Sequence, residues 1–290
     1  MNRSARLVAV LAVAAAMLST AGCNKLRARD QLNQGVKAYK NAQYEQAIGH
    51  FKDAVRLDDK LKVAKLYLAT AYAQQYVPDA PGPENQRNAD MAIAEYKSVL
   101  EEDAKNLNSL KGIAYLYMNM KRFDDAREYY KKAIDADPND PETYYSVGVI
   151  DWSAVYKDVA DRKSKVGLKV DDPLKGRQIC EEIKAADGPR IDEGMKMLQD
   201  AMDKRQDYDD AMAYMNLIYR RKADTECNDP EAAAQDIKAA NDWSDKAMAA
   251  RKKKAEEAAK KTSGGIVLEQ SRSQQDQQNQ NQNQNSGQKK

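Results

Sequence analysis

Apolar residues recur along this chain at three- and four-residue intervals, and no stretch alternates with the period of two that a half-buried strand shows. The clearest run holds Leu110, Ile113, Ala114 and Tyr117, then Phe123, Ala126, Tyr130 and Ala133. This spacing predicts two amphipathic helices joined by a short turn. The second helix ends before Asp137-Pro138, and Asp140-Pro141 opens the next, with Asp140 as N-cap and Pro141 in the first helical turn. Ala114 and Ala126 stand where two antiparallel helices approach closely, and the three rings fill the space around that contact.

The same signature steps along the chain about every 34 residues, the length of one helix-pair unit. Upstream, Gly35, Ala38 and Tyr39 pair with Tyr44, Ala47, Ile48, Phe51 and Ala54. A second unit places Leu68, Ala69 and Tyr72 on one helix and Ala92, Tyr96, Val99 and Leu100 on the other. Downstream, Tyr144, Val147 and Gly148 resume only at Gly194, Leu198, Ala201 and Met202. A fifth unit runs from Met212, Met215, Asn216 and Tyr219 to Ala240, Ser244 and Ala247, with Trp243 on an adjacent face. One pair cannot bury such a face, so the units must stack. A generic helical bundle is the alternative, and the small residues at two fixed places per unit argue against it.

This pattern resembles the tetratricopeptide repeat, over roughly residues 28–250. The resemblance implies an all-α, right-handed superhelical solenoid of about five helix pairs with loop insertions, spanning 28–261. Three units are interrupted between their first and second helices, near 75–89, 157–189 and 223–229. The first contains Pro78, Pro81 and Pro83 and predicts an extended loop; the second has room for a short helix over Leu174–Ala186. All three insertions should emerge on one edge of the array, where they are placed for binding.

The N-terminus carries a different signal. Arg3 and Arg6 precede an apolar run from Leu7 to Leu18, and small residues lead to Cys23. That run is too short to span a membrane and reads as a secretory signal over 1–22. Leu18-Ser19-Thr20-Ala21-Gly22-Cys23 resembles a bacterial lipobox, with Thr20 where that family usually has Leu. The resemblance implies lipidation of Cys23 and a tether over 23–27. Asn24, in place of an aspartate, implies the outer membrane, facing the periplasm, in a two-membrane envelope.

Charge narrows the partners. Lys and Arg number 47 against 45 Asp and Glu, and loss of Arg3 and Arg6 with the signal leaves a nearly neutral chain. No basic stripe marks a nucleic-acid face. Arg251-Lys252-Lys253-Lys254 is followed by Glu256 and Glu257, which reads as a solvated helix end. Tyr occurs 16 times against two Phe, a ring that packs within the helix pair and leaves a hydroxyl at the rim.

Cys180 and Cys227 fall in neighbouring insertions on the same edge, and in an oxidising compartment they are expected to pair. A metal site fails on ligand count, because His50 is the single histidine and reads as a helix-surface or groove residue. No Gly-rich phosphate loop occurs, no serine or cysteine lies within a turn of His50 on its face, and Asp171-Asp172 and Asp209-Asp210 read as caps. The reading is a chain that is not an enzyme and takes no cofactor.

The tetratricopeptide resemblance implies a concave groove lined by the first helix of each pair. It assigns Tyr39, Lys40, Thr70, Gln74, Lys111, Tyr115, Asn119, Tyr145, Trp152, Leu217, Arg220 and Arg221 to that groove. Rings with cations suit a peptide, the arginines pairing with carboxylates. Tyr145 and Trp152 have a second reading, packing against the long insertion. The subtype that clamps a terminal carboxylate uses Lys and Asn early in its first helix, where this chain has Leu32 and Val36. After Lys261, Thr262-Ser263-Gly264-Gly265 predicts a helix break and the Gln/Asn-rich remainder a disordered tail over 262–290. The expectation is an envelope scaffold or adaptor, lipid-anchored with no other membrane contact, that binds a protein or peptide. Its alternative is a periplasmic chaperone-like module for peptide or unfolded clients.

Overall fold

The computed structural model describes residues 23–174 and 176–287, with side chains described through residue 260. The signal segment and lipobox, residues 1–22, lie outside the described residues. Among those described, ten helices follow one another with no strand. They are α1 (23–40), α2 (Tyr44–Leu57), α3 (Lys62–Gln75), α4 (Pro83–Glu102), α5 (Leu107–Asn119), α6 (Phe123–Ala136), α7 (Pro141–Lys165), α8 (Arg177–Lys204), α9 (Asp209–Ala223) and α10 (Pro230–Gly287).

Each helix packs on the next, α3 also lies beside α5, and α7 beside α9. The result is a solenoid of five helix pairs. Local chemistry sets the ends: the Asn106 side chain accepts from Ser109 N–H at 3.1 Å, and Asp140 accepts from Glu142 N–H at 3.1 Å ahead of Pro141. The turns within the first and third pairs are alike. Ala42 and Lys121 adopt positive φ, and the next residue's N–H reaches back five positions, Gln43 to Ala38 and Arg122 to Tyr117.

The small residues sit at the helix contacts. Ala47, Ala54, Ala69, Ala92, Ala114, Ala126, Ala133, Ala201, Ala211 and Ala240 are completely buried. At Gly148 a Cβ would lie 2.6 Å from Leu198, so only glycine lets α7 and α8 cross there. Two apolar cores result. One runs from α1 to Ile150 with Phe51, Tyr72, Tyr96, Tyr117 and Tyr130. The other gathers Val155, Val159, Ile183, Ile191, Leu198 and Ile218 from α7, α8 and α9.

The connections are shorter than the sequence suggests. Only 76–82 separates α3 from α4, and Asn85 in α4 folds it back, accepting from Val77 N–H at 2.7 Å and donating to Val77 and Ala80 carbonyls at 2.8 and 3.0 Å. The expected long insertion at 157–189 is corrected to a connection of 166–176, because both flanking helices extend. Val155, Val159 and Ile183 carry the apolar seam outward and are completely buried. Continuing the pair buries that surface at the cost of one hydrogen bond at Pro189, which lies inside α8. The separate short helix expected over 174–186 is the start of α8. The connection between α9 and α10 is 224–229.

Two further differences concern the ends. Residues 23–27, expected as a tether, are helical. At the other end α10 runs through Thr262–Gly265 to Gly287 without the expected break. The side chains of the Gln/Asn-rich segment lie outside the described residues.

Candidate functional site

Between α3 and α5 the face formed by first helices opens into a cleft of about 380 Å³. Thr70 and Gln74 line it from α3, Tyr76 and Pro78 from the following connection, and Lys111, Tyr115 and Asn119 from α5. Tyr96 and Tyr130 reach it from the second helices. Five residues that the sequence assigned to the groove, Thr70, Gln74, Lys111, Tyr115 and Asn119, thus share one cavity. Tyr39 joins them through a side-chain hydrogen bond to Gln74 and packs edge-on to Tyr44 at 5.3 Å. Lys40 is exposed at the end of α1.

A glycine shapes the floor. A Cβ at position 112 would meet the Tyr96 ring at 2.5 Å, so Gly112 lets that ring lie flat against α5. The Thr70 hydroxyl donates to the Leu66 carbonyl at 2.8 Å, which leaves the Tyr96 hydroxyl to donate to Thr70 Oγ1 at 3.1 Å. Burial raises the pKa of both Tyr96 and Tyr130, with hydrogen bonds to Thr70 and Ser146 opposing it. Both stay neutral at any physiological pH. Tyr115, by contrast, is 53% exposed at the mouth.

The cation of this cleft is already spent. Lys111 Nζ donates to Asp140 Oδ2 at 2.6 Å. Burial would raise the Asp140 carboxyl, yet the bonds from Lys111 and Thr143 outweigh it and hold the pKa below the usual range. The N-cap of α7 therefore doubles as the counter-ion of α5.

A second feature lies on α7 and α9. Tyr145 packs against Tyr208 and Tyr214 at centroid distances of 5.1 and 5.6 Å, and Trp152 against Tyr214 and Tyr156 at 5.3 and 5.2 Å. Tyr145 and Trp152 are half-buried in this ring cluster. Their ring partners belong to α7, to α9 and to Tyr208 just ahead of it, and none to the 166–176 connection. Tyr208 is anchored by its hydroxyl, which donates to Glu142 Oε2 at 2.6 Å.

The arginines depart from expectation. Arg221 is 4% exposed, donating to the Val170 carbonyl at 2.8 Å and to Asp171 at 2.9 Å, with Asp224 at 3.1 Å. Its place among partner-binding residues is corrected: it fastens the α7–α8 connection to α9, because its turn of α9 faces that connection. Arg220 bonds Asn216 at 3.0 Å and Asn241 at 2.9 Å and lines a different cavity, of about 470 Å³, at the edge of the array. Leu217 is half-buried.

That edge brings Cys180 and Cys227 together, with Cα atoms 5.6 Å apart and sulfurs at 2.00 Å. Beside them Lys163, 1% exposed, donates to the Val170 and Asp172 carbonyls at 2.7 and 2.9 Å and to Asp224 at 2.7 Å. Burial raises the Asp224 pKa while Arg221 and Lys163 oppose it. Sequence reasoning missed Lys163. Its one sequence signal is position, since Val155, Val159 and Lys163 follow at four-residue intervals on one stripe.

His50 hydrogen-bonds Gln31 at 2.8 Å on the outside of the first pair. Among the described residues no group of three His, Cys, Asp or Glu side chains could hold a metal, and no helix is long and apolar enough to cross a membrane. The Arg251–Lys254 run reaches back to α9 and the turn before it: Arg251 to Asp209 and Asp210 at 3.0 and 3.1 Å, Lys253 to Asp207 at 2.6 Å, and Lys254 to Asp209.

Stacked helix pairs with a cleft between successive first helices define an α-solenoid of the helix-pair-repeat class. Residues 86–147 match the tetratricopeptide repeat family. The fold is similar to MamA from Desulfovibrio magneticus RS-1, at 13% identity and a TM-score of 0.50, covering 75% of this chain and 94% of that one. A further MamA crystal structure is similar at 14% identity and 0.50, covering 77% and 96%. No curated protein sequence matches the chain. The tetratricopeptide match covers 86–147, within a chain whose helix-pair fold is similar to that of MamA.

Proposed function

We propose that this protein is a non-catalytic interaction scaffold of the bacterial envelope, anchored by lipid on Cys23, that holds a protein or peptide partner against its first helices. One observation carries the binding part: the α3–α5 cleft gathers Thr70, Gln74, Lys111, Tyr115 and Asn119 around an exposed ring. Helix-pair arrays commonly place their binding surface on one face, and a small polar-rimmed cleft there suits a peptide segment. Cys23 is exposed at the first turn of α1, open to acylation. In an oxidising compartment Cys180 and Cys227 form a disulfide that fastens the fourth pair to the fifth.

Two experiments test this. Labelled palmitate should enter the wild type and not Cys23→Ala, and equal labelling would remove the anchor from the reading. Crosslinked complexes from native envelopes should contain a partner that a folded Tyr115→Ala/Trp152→Ala variant loses. Undiminished recovery would move the site off the first helices, and a diffuse set of clients lost together would turn the scaffold into a chaperone.

A further inference from the structure

We infer that the α3–α5 cleft takes an uncharged, extended polypeptide segment that presents an aromatic or proline ring, in preference to acidic segments. The inference rests on the groove reading above and names the ligand class of that same site.

The argument begins with charge. Rings mixed with cations suggest a carboxylate-binding groove, but Lys111 is the one cation among the residues lining this cleft, and exposed Lys40 lies outside that lining. Lys111 is held by Asp140 at 2.6 Å, and Asp140 is fixed in turn as the N-cap of α7 with Thr143 bonded to the same carboxylate at 2.6 Å. Arg221 is buried in the α7–α8 connection, and Arg220 faces the edge cavity. Lys111 and Asp140 form a net-neutral pair, so an acidic ligand meets no uncompensated positive charge in the cleft.

What the cleft offers is neutral. Asn119 presents an amide, Gln74 an amide that also meets Tyr39, Thr70 and Tyr96 hydroxyl oxygens whose hydrogens are already donated, and Ala73, Pro78 and Gly112 a smooth wall. Asn119 uses one amide hydrogen on the Tyr115 carbonyl at 2.8 Å, and its oxygen remains to accept. Amides on facing helices suit the alternating N–H and C=O groups of an extended backbone. The Tyr115 ring is half in solvent with Tyr130 and Tyr76 nearby, a ready surface for a ligand ring. A volume of about 380 Å³ accommodates a short stretch and not a folded element.

The test is selection of a displayed random-peptide library on the full chain, followed by anisotropy titration of the enriched peptides. The expected pool is net neutral and ring-bearing, with affinity that changes less than about twofold between low and high salt. Tyr115→Ala should weaken it about tenfold, whereas Lys111→Met should leave the pool's charge unchanged. An acidic, salt-sensitive pool lost in Lys111→Met would overturn the ligand class and keep the groove. A pool that Tyr115→Ala and Asn119→Ala leave intact would overturn the groove reading itself.

Discussion

The first three helix pairs and the last two solve the same packing problem with different chemistry. In α1–α6 the contacts are alanine against ring, as at Ala114, Ala126, Tyr117 and Tyr130, and the connections are short turns. In α7–α10, α7 and α8 outgrow the repeat, and this half encloses charges: Asp151 is fully buried, Lys163 1% exposed and Asp187 6% exposed. A regular repeat needs only shape. Once two helices extend beyond the repeat, their added seam is no longer wholly apolar, and each buried charge needs its own partner.

The largest effect should follow from removing one such charge. Lys163→Ala strands two carbonyls and leaves Asp224 to Arg221 alone, so we expect a loss of about 3–5 kcal/mol in urea unfolding. Ile113→Ala, in the apolar half, is expected to cost about 2–4 kcal/mol without altering exchange at 166–176. A Lys163→Ala cost below that of Ile113→Ala would remove the distinction between the halves.

Next is the cysteine pair. Cys180→Ser/Cys227→Ser should lower stability by roughly 3–4 kcal/mol on the chain-entropy account. The faster hydrogen exchange should be confined to 166–176, 224–229 and the first turn of α8. Equal acceleration in α1–α6 would mean that the two halves unfold as one.

A smaller effect comes from acid. Burial pushes Asp187 to about 7, with the Asp158 carboxyl adding to it and Arg162 and Arg190 opposing. Burial likewise pushes Asp151 to about 6 against Arg127, Arg190 and Lys131. Both pKa values lie above the unfolded one, so the folded state binds the extra protons. Their stabilisation is complete below about pH 4 and is lost as pH rises through about 6 to 7. The C-terminal half should therefore unfold more easily at pH 8 than at pH 5, and Asp187→Asn should flatten that slope. An unchanged slope in Asp187→Asn would put the titrating group elsewhere.

The smallest effect tests the apolar half. Asn106→Ala removes the side-chain cap of α5 and should cost about 1 kcal/mol, read as a uniform shift in the unfolding midpoint.

These contrasts also explain what was legible in the sequence. The five pairs could be read because their small residues and rings recur at a fixed step, and each contact lies within one or two repeats. Asp140 was legible as a cap because capping is local. Its second role, as counter-ion to Lys111 29 residues away, is not local and was missed. The same holds for Lys163 and Asp224, 61 residues apart, where a lysine on an apolar stripe looks like the end of a helix face. The insertion expected over 157–189, with a short helix over 174–186, is instead mostly the extension of α7 and α8, since burial of Ile183 and Ile191 carries α8 through Pro189. Gln74, Lys111, Tyr115 and Asn119, assigned to one face from the sequence, line one cavity, whereas the pairing of Lys111 with Asp140 was not legible, since free and paired cations look identical in sequence.

The most direct measurement is site-specific photo-crosslinking in intact envelopes, with the photoreactive side chain placed at position 115 on α5 or at exposed position 97 on α4. The account predicts a discrete adduct from position 115 and none from position 97; adducts from position 97 alone would put the partner on the second helices and contradict it.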